Sequence, residues 1–291
     1  MIKAHAKVNL FLSVGPRDER GYHRLKTVFQ PIRELHDKVL VEESKEPGIH
    51  VKCNNPLVPK DGRNTAYRAA ELMMRAAGRD PAMTGISIAI EKNVPLSSGL
   101  GGSAIDAAPV IRALNEAWRM RLNRARMDEI GSLIGADVPQ ALRKRTCYAE
   151  GRGDEIIEEF ALKPIHACIA VPNSYLSNMN GRKTAFLYEE IDRIERTEAD
   201  ERPMLAALRS GSWAGIAKHM RNDFELVAFR LHPELADVKK TMRDSGALGA
   251  LLAGSGGAVF GIFDDAELAH AAMLNLIEKS SVRLLLQTLT L

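Results

Sequence analysis

Cysteine is scarce in this 291-residue chain. Cys53, Cys147 and Cys168 are odd in number and far apart, and no Cys-x-x-Cys pair occurs. That excludes a zinc ribbon and a disulfide framework, and a reducing compartment is the simplest reading. Aromatic residues, at 5%, are too sparse to build the stacked platforms that hold single-stranded nucleic acid. Nor is there an excess of one charge, since 40 Lys and Arg face 37 Asp and Glu and leave +3. So small a balance does not call for a polyanion. The basic runs Arg119 to Arg126 and Arg143 to Arg145 therefore read as solvated surface, and no nucleic-acid partner is expected. The eight histidines have no His-x-x-x-His or paired spacing, so no zinc site is visible. One stretch, Ser245 to Phe263, is uncharged over 19 residues, but its six glycines read as strand, glycine turn and strand rather than a membrane span. Lys3 and Lys7 interrupt the first apolar residues, which argues against a signal peptide. A soluble, cytoplasmic protein with no membrane partner is expected.

What is present is ordinary globular material: 45% apolar and 26% charged residues, in a length that fits one large domain or two sharing an interface. From Ile2 to Val14 the alternation is that of a strand. Ala4, Ala6, Val8, Leu10, Leu12 and Val14 share one face, while His5, Lys7, Asn9, Phe11 and Ser13 share the other. Lys7 and Asn9 thus project the same way, on either a functional or a merely solvated face. Further strands are expected at Lys38–Glu43, Ile49–Cys53 and Gly85–Lys92. Asn64 reads as the N-cap of a helix ending before Gly78, with Met73 and Met74 as core filler. A helix from Ser103 to Trp118 should be bent by Pro109, and another spans Arg124–Ile134 behind Asn123. After the strand Ala167–Val171 comes a polar, mostly helical stretch. The chain closes as helix Pro233–Asp244, strand Leu248–Ala253, strand Ala258–Phe263, helix Ala266–Lys279 and strand Val282–Thr290. Strands and helices mix in both halves, as in an α+β protein, with a domain boundary near residue 160.

Three constellations carry chemistry. Pro95-Leu-Ser-Ser-Gly-Leu-Gly-Gly-Ser-Ala-Ile-Asp106 follows a strand and leads into a helix. Its glycines let backbone N–H groups converge without Cβ interference, and a helix N-terminus adds a positive dipole end, which together make a phosphate cradle. An ordinary strand-to-helix connection with capping serines is the alternative. No G-x-x-x-x-G-K-[ST] occurs, and the protein-kinase signatures are missing. Gly99-x-Gly101-x-x-Ala104 fits the loose dinucleotide fingerprint, but Gly99 comes seven residues after Lys92 and the following helix leads to another helix, not a strand. The second constellation, Gly254-Ser-Gly-Gly257, by itself reads as a hairpin turn. The third is Gly135-Ala-Asp-Val-Pro139, where Asp137 is either a helix cap or a functional carboxylate.

Taken together these stretches resemble the small-molecule kinases of the galactokinase, homoserine kinase, mevalonate kinase and phosphomevalonate kinase superfamily, the GHMP kinases. The resemblance runs from Ala6-Lys-Val-Asn-Leu-Phe-Leu12 through Gly21-Tyr-His23, Thr27-Val-Phe-Gln30, Asn55-Pro-Leu-Val58, the glycine loop, Gly135–Pro139 and Glu150-Gly-Arg-Gly153 to Gly254–Gly257. The Lys7/Asn9 strand with Gly21-Tyr-His23 points to the branch whose substrate is a cytidyl-linked methylerythritol. This resemblance implies the two-domain GHMP kinase fold, with an N-terminal mixed α/β domain over 1–160 and a C-terminal ferredoxin-like α+β domain over 161–291. It implies ATP-dependent phosphorylation of the substrate's 2-hydroxyl in the non-mevalonate isoprenoid pathway, with Mg²⁺ carried by the nucleotide, in a monomer or homodimer. Lys7 and Asp137 match the catalytic residues. Asn64, Lys92 and the loop residues Pro95, Leu96, Ser97, Ser98, Gly99, Leu100, Gly101, Gly102, Ser103, Ala104 and Ile105 match nucleotide positions. Asn9 would lie beside the polyol and Tyr22 and His23 at the cytosine, with Phe186 as the second aromatic, beyond an inserted-looking stretch at Ser174–Lys183. Departures are confined to the loop, where Ser103, Ala104 and Ile105 replace a glycine and two hydroxyl-bearing positions and Pro109 follows, and to Gln140-Ala141. A GHMP kinase of another small alcohol, or a non-catalytic nucleotide-binding homologue, stays open at this stage.

Overall fold

The computed structural model describes residues 1–19, 21–173, 183–195, 197–279 and 282–291. Two long strands organise it. β1 (Ile2–Arg17) and β2 (His23–Ser44) pair antiparallel from Ile2 opposite Val39 to Arg17 opposite His23. Only residues 38–43 of β2 were expected, because Pro31 and scattered charges break its alternation. Partnership with β1 along its whole length carries it through, with register shifts between His5 and Lys7 and between Asn9 and Phe11 that absorb the irregularity.

Around this ribbon stand β3 (Gly48–Cys53), α1 (Thr65–Ala76), β4 (Gly85–Glu91), α2 (Ala107–Ala117), α3 (Arg124–Ile134), α4 (Val138–Ala141), β5 (Thr146–Glu150) and β6 (Glu155–Phe160). The hairpin β5–β6 was not foreseen. β3 and β4 are parallel, so α1 crosses between them over the sheet. The chain then enters β7 (His166–Pro172), α5 (Lys183–Ile191), α6 (Arg202–Ser210), α7 (Trp213–His219), β8 (Arg221–Asn222), α8 (Glu225–Leu231), α9 (Pro233–Asp244), β9 (Gly249–Leu252), β10 (Val259–Phe263), α10 (Ala266–Lys279) and β11 (Val282–Leu289). Among the described residues the strands form two sheets, β3-β4-β2-β1-β8 with β5 paired to β2 and β6 to β5, and β11-β7-β10-β9. The sheets change between Phe160 and His166, yet the two-residue β8 returns to pair parallel with Phe11 and Leu12. This is the α+β mixture expected from the sequence, with helices and strands in both halves. Among the described residues, no helix is long and apolar enough to cross a membrane.

Local signals explain several helix starts. Asn64 Oδ1 accepts from the Ala66 amide (2.8 Å) and Asn123 Oδ1 from the Arg126 amide (2.9 Å), each cap contributing about 1 kcal/mol. Two expectations need correction. α2 starts at Ala107, not Ser103, because residues 101–106 close a tight turn through the Gly101 carbonyl, which accepts from the amides of Ala104 and Ile105. Pro109 consequently falls in the first turn of α2, where its missing N–H has no internal acceptor to lose, so it does not bend the helix.

The register shift in β1 also divides its apolar face. Ala4, Ala6, Val8 and Leu10 belong to the core beneath the first sheet with Ile86, Ile88, Met73 and Ile111. Leu12 and Val14, with Leu25 of β2, join Phe224, Val227, Leu252 and Val259 in a second core. The upper ends of β1 and β2 are thereby packed against the C-terminal half, and the cleft between the halves opens beside Lys7 and Asn9.

Candidate active site

A cavity of about 520 Å³ lies in that cleft, lined by β1 and β2, the loop 97–104, residues 135–137, the start of α5 and the turn at Gly254-Ser255. Polar side chains of β1 that alternation alone left ambiguous are buried here. Lys7 Nζ donates to Asn9 Oδ1 at 2.8 Å, Asn9 Nδ2 donates to Thr27 Oγ1 at 2.8 Å, and Thr27 Oγ1 donates to the Phe11 carbonyl. This chain of donors holds the Lys7 amine in one place. Asp137 Oδ2 stands 3.5 Å from Lys7 Nζ. Asp137 precedes α4 but its side chain makes no cap bond. The cap reading fails, and the carboxylate faces the cavity.

The glycine loop is tied down almost entirely through its carbonyls. That of Ser97 accepts from Lys183 Nζ, that of Ser98 from the Ala258 amide and that of Leu100 from the Lys7 amide. The Gly102 carbonyl accepts from Lys92 Nζ and the Ser103 carbonyl from Thr65 Oγ1. An anion cradle would use the backbone amides of this loop, whose carbonyls are already held by protein donors. Glycine is demanded at two points. Gly99 has φ of +82°, and a Cβ there would lie 1.9 Å from the Ala253 carbonyl oxygen. Gly101 has φ of +81° and carries the loop past the Lys7 stem, where a Cβ would meet Cγ at 3.1 Å.

The second glycine cluster is more than a turn. Asn222 Nδ2 on β8 donates to the carbonyls of Leu252 (2.8 Å) and Gly254 (2.7 Å), pinning the β9–β10 connection against the cleft. Asp223 reinforces this by accepting from the Val14 amide at 2.8 Å and from Ser13 Oγ.

The sequence-derived residues are thus distributed as follows. Lys7, Asn9, Asp137, Ser97, Ser98, Gly99, Gly101, Gly102, Ser103 and Ala104 line the cavity together. Leu100 and Ile105 are buried in the core, and Pro95 anchors the loop by accepting from Ser98 Oγ at 2.7 Å. Leu96 is half-buried and outside the lining. Asn64 is absorbed by capping, and its Nδ2 donates to the Pro59 carbonyl. Lys92 lies beneath the loop, its side chain only 2% exposed, with Nζ 2.6 Å from Asp37 and 2.7 Å from Asp106. Burial works against that ammonium, but the two carboxylates outweigh it and the net shift is upward. Burial likewise pushes the Asp106 carboxyl up to about 7, helped by Asp37 and opposed by Lys92. Lys92 thus supports the loop through the Gly102 carbonyl, while the Asn64 side chain is engaged in its helix cap and with Pro59, and neither residue lines the cavity.

Tyr22 and His23 are reached from the other side. A second cavity, of about 900 Å³, is lined by Arg17, Asp18, Tyr22, His23, Arg24 and Arg152 among others. Tyr22 is 55% exposed and is held out by a turn in which its amide donates to Asp18 Oδ1 at 2.9 Å. His23 is buried. Its Nδ1 donates to the Gly15 carbonyl (2.9 Å) and its Nε2 lies 3.3 Å from Asp192 Oδ1, while the other oxygen of that carboxylate, Oδ2, accepts from Arg17 Nε at 2.8 Å. Nδ1 is therefore taken up by the protein, whereas Nε2 is buried beside Asp192 without a hydrogen bond among the described residues. The ring stacks on Tyr188 at 4.9 Å and 11°, and Tyr188 lines the first cavity with Phe224 at its edge. Phe186, the aromatic expected from sequence, is half-buried on α5 and does not line either cavity. Of the inserted-looking stretch, Ser174 to Arg182 lies outside the described residues.

Sequence reasoning missed Tyr188, Thr184, Thr65 and Lys183. Thr184 and Tyr188 stand four apart on α5 and so share a helix face, a spacing that was legible but had no anchor in the chain before it. Among the described residues, no group of three or more His, Cys, Asp or Glu is placed to hold a metal.

Family models for the GHMP kinases N terminal domain and the GHMP kinases C terminal match residues 64–145 and 204–280. The 4-diphosphocytidyl-2-C-methyl-D-erythritol kinase of Caldicellulosiruptor bescii is 38% identical over 264 residues, covering 90% of this chain and 88% of the relative. That of Chlorobium limicola is 36% identical over 281 residues, covering 96% and 93%. A crystal structure of a 4-(cytidine 5'-diphospho)-2C-methyl-D-erythritol kinase superposes with a TM-score of 0.78 at 33% identity, over 99% of this chain and 98% of that one. The Leishmania major (L. major) mevalonate kinase shares the fold alone, at TM-score 0.72 and 18% identity over 100% and 96%. With relatives matched nearly end to end and both halves recognised, the chain belongs to the 4-diphosphocytidyl-2-C-methyl-D-erythritol kinase family of the GHMP kinases.

Proposed function

We infer that the protein transfers a phosphoryl group from ATP to the 2-hydroxyl of 4-diphosphocytidyl-2-C-methyl-D-erythritol, a step of the non-mevalonate isoprenoid pathway. The observation that carries the reading is the Lys7–Asp137 pair, 3.5 Å apart, facing a cavity whose other wall is a glycine loop with its carbonyls tied back. Phosphoryl transfer asks for in-line positioning and neutralised charge more than for covalent help from the protein. The loop amides would hold the phosphate chain, Asp137 would orient the acceptor hydroxyl and take its proton, and Lys7, steadied by Asn9 and Thr27, would offset charge on the transferred group. Asn9 lines the same wall, within the reach of a polyol.

Mg²⁺ would arrive with the nucleotide. The lining offers one carboxylate, Asp137, and the hydroxyl of Ser103, a donor set suited to an ion held mostly by phosphate and water. Bound there it would draw charge from the phosphate oxygens. The cytidyl end would lie toward the second cavity, against Tyr22. The Tyr188–His23 stack lies between the two cavities, with the His23 ring held by its bond to the Gly15 carbonyl.

The test is a coupled ADP-release assay with ATP and a panel of alcohols that includes the cytidyl substrate. Turnover confined to that substrate supports the reading. Turnover of another alcohol instead, or ATP binding with no turnover at all, would replace it.

A further inference from the structure

Lys183 is the first residue of α5 and the only lysine besides Lys7 that lines the principal cavity among the described residues. Its side chain is buried and its Nζ donates to two carbonyls from distant parts of the chain, Ser97 in the glycine loop (2.6 Å) and Gly256 in the β9–β10 connection. The amine therefore sits at the seam where both glycine clusters meet, in the wall of the cavity beside the glycine loop. Among the described residues lining this cavity, the other ionisable groups are Lys7 on β1, Asp137 before α4 and the Tyr188 phenol. The glycine loop and the Gly254-Ser255 turn contribute only carbonyls and hydroxyls, and α5 itself adds Thr184 and Tyr188. Two ammonium groups thus share a cavity with one carboxylate.

We propose that Lys183 is a second phosphate-binding cation of this site, contacting the nucleotide's phosphate chain at the glycine loop from the side opposite Lys7. The proposal rests on the kinase reading and deepens it. Burial, joined by the charge of Lys7, pulls the Lys183 amine down to about 7 in the free protein. An arriving phosphate adds negative charge beside the amine and restores its ordinary tendency to hold a proton. Below about pH 7 the amine is already charged, and nucleotide binds without proton uptake. Above it, binding must take up a proton, so affinity falls as pH rises from about 7.

The experiment is calorimetric titration of the full-length protein with ADP at pH 8, in Hepes and in Tris, with turnover assayed on the same samples. Wild type should take up close to one proton on binding. Lys183→Gln keeps donors for the Ser97 and Gly256 carbonyls but has no charge. It should lose the uptake and bind ADP about 10- to 100-fold more weakly, the range of one charge-assisted contact, with a melting temperature near that of wild type. Lys183→Arg should lose the uptake yet recover part of the affinity. Wild-type binding without proton uptake, or Lys183→Gln with wild-type affinity and active turnover, overturns the proposal and leaves the kinase reading intact. A wild type that binds no nucleotide overturns both. If Lys183→Gln fails to fold, the wild-type uptake and Lys183→Arg still decide the matter.

Discussion

Replacing Asp137 by Asn separates chemistry from architecture, because the structure assigns this carboxylate little mechanical work. Its side chain is 35% exposed, makes no cap bond, and has one ionic neighbour, Lys7 Nζ at 3.5 Å. A pair of that kind, partly solvated and longer than a hydrogen bond, contributes about 0–1 kcal/mol to stability after solvent screening. Lys7 does not depend on it for position, since Asn9 Oδ1 accepts from the amine at 2.8 Å whatever stands at 137. The amide keeps the shape of the carboxylate but is a far poorer proton acceptor. Loss of a general base lowers kcat by about 10²- to 10⁴-fold, or roughly 3–5 kcal/mol of transition-state stabilisation. The expected signature is therefore a large fall in kcat beside a shift of no more than a few degrees in melting temperature and little change in the KM for ATP. Coupled ADP release and differential scanning fluorimetry on the same preparation measure both. A variant whose kcat stays within threefold of wild type would remove Asp137 from proton transfer. One that loses activity and stability together would make it a structural residue.

Gly99→Ala should lower stability by more than about 2 kcal/mol and weaken ATP binding, because the left-handed backbone alone costs roughly 1–2 kcal/mol and the new methyl would overlap the Ala253 carbonyl at 1.9 Å. Wild-type urea unfolding would refute that contact. Lys92→Met leaves two buried carboxylates without their cation and should cost about 3–5 kcal/mol; a loss below 1 kcal/mol in urea would mean that Asp37 and Asp106 are not a charged pair about it. Tyr22→Ala removes an exposed ring. It should leave the melting temperature unchanged while raising KM for the cytidyl substrate by roughly 10–100-fold, in line with base–aromatic stacking of about 1–3 kcal/mol. A parallel rise in KM for ATP would show the turn to be structural instead.

Much of this protein was legible wherever a property depends on neighbours a few residues apart. Asn64 and Asn123 cap their helices because a side-chain oxygen reaches an amide two or three positions on. The Lys7/Asn9 alternation follows from the pleat, and the run at 99–102 advertises its own backbone freedom. What local rules could not reach was which alternative held. Whether the polar face of β1 is solvated or buried at a cavity, whether the carboxylate at 137 caps its helix or faces that cavity, and what the turn at 254–257 packs against were each decided by groups far away in the chain. β2 persists through Pro31 because β1 lies beside it, and Lys92 is buried under the loop because Asp37, 55 residues earlier, and Asp106 hold its amine there. Lys183 had no signal at all in sequence. Its place at the site comes from carbonyls 86 residues before it and 73 residues after it, brought together when the β9–β10 connection packs against the glycine loop. Local spacing determines what a segment can form, whereas burial, and with it the meaning of a charge, is decided only by what packs against it.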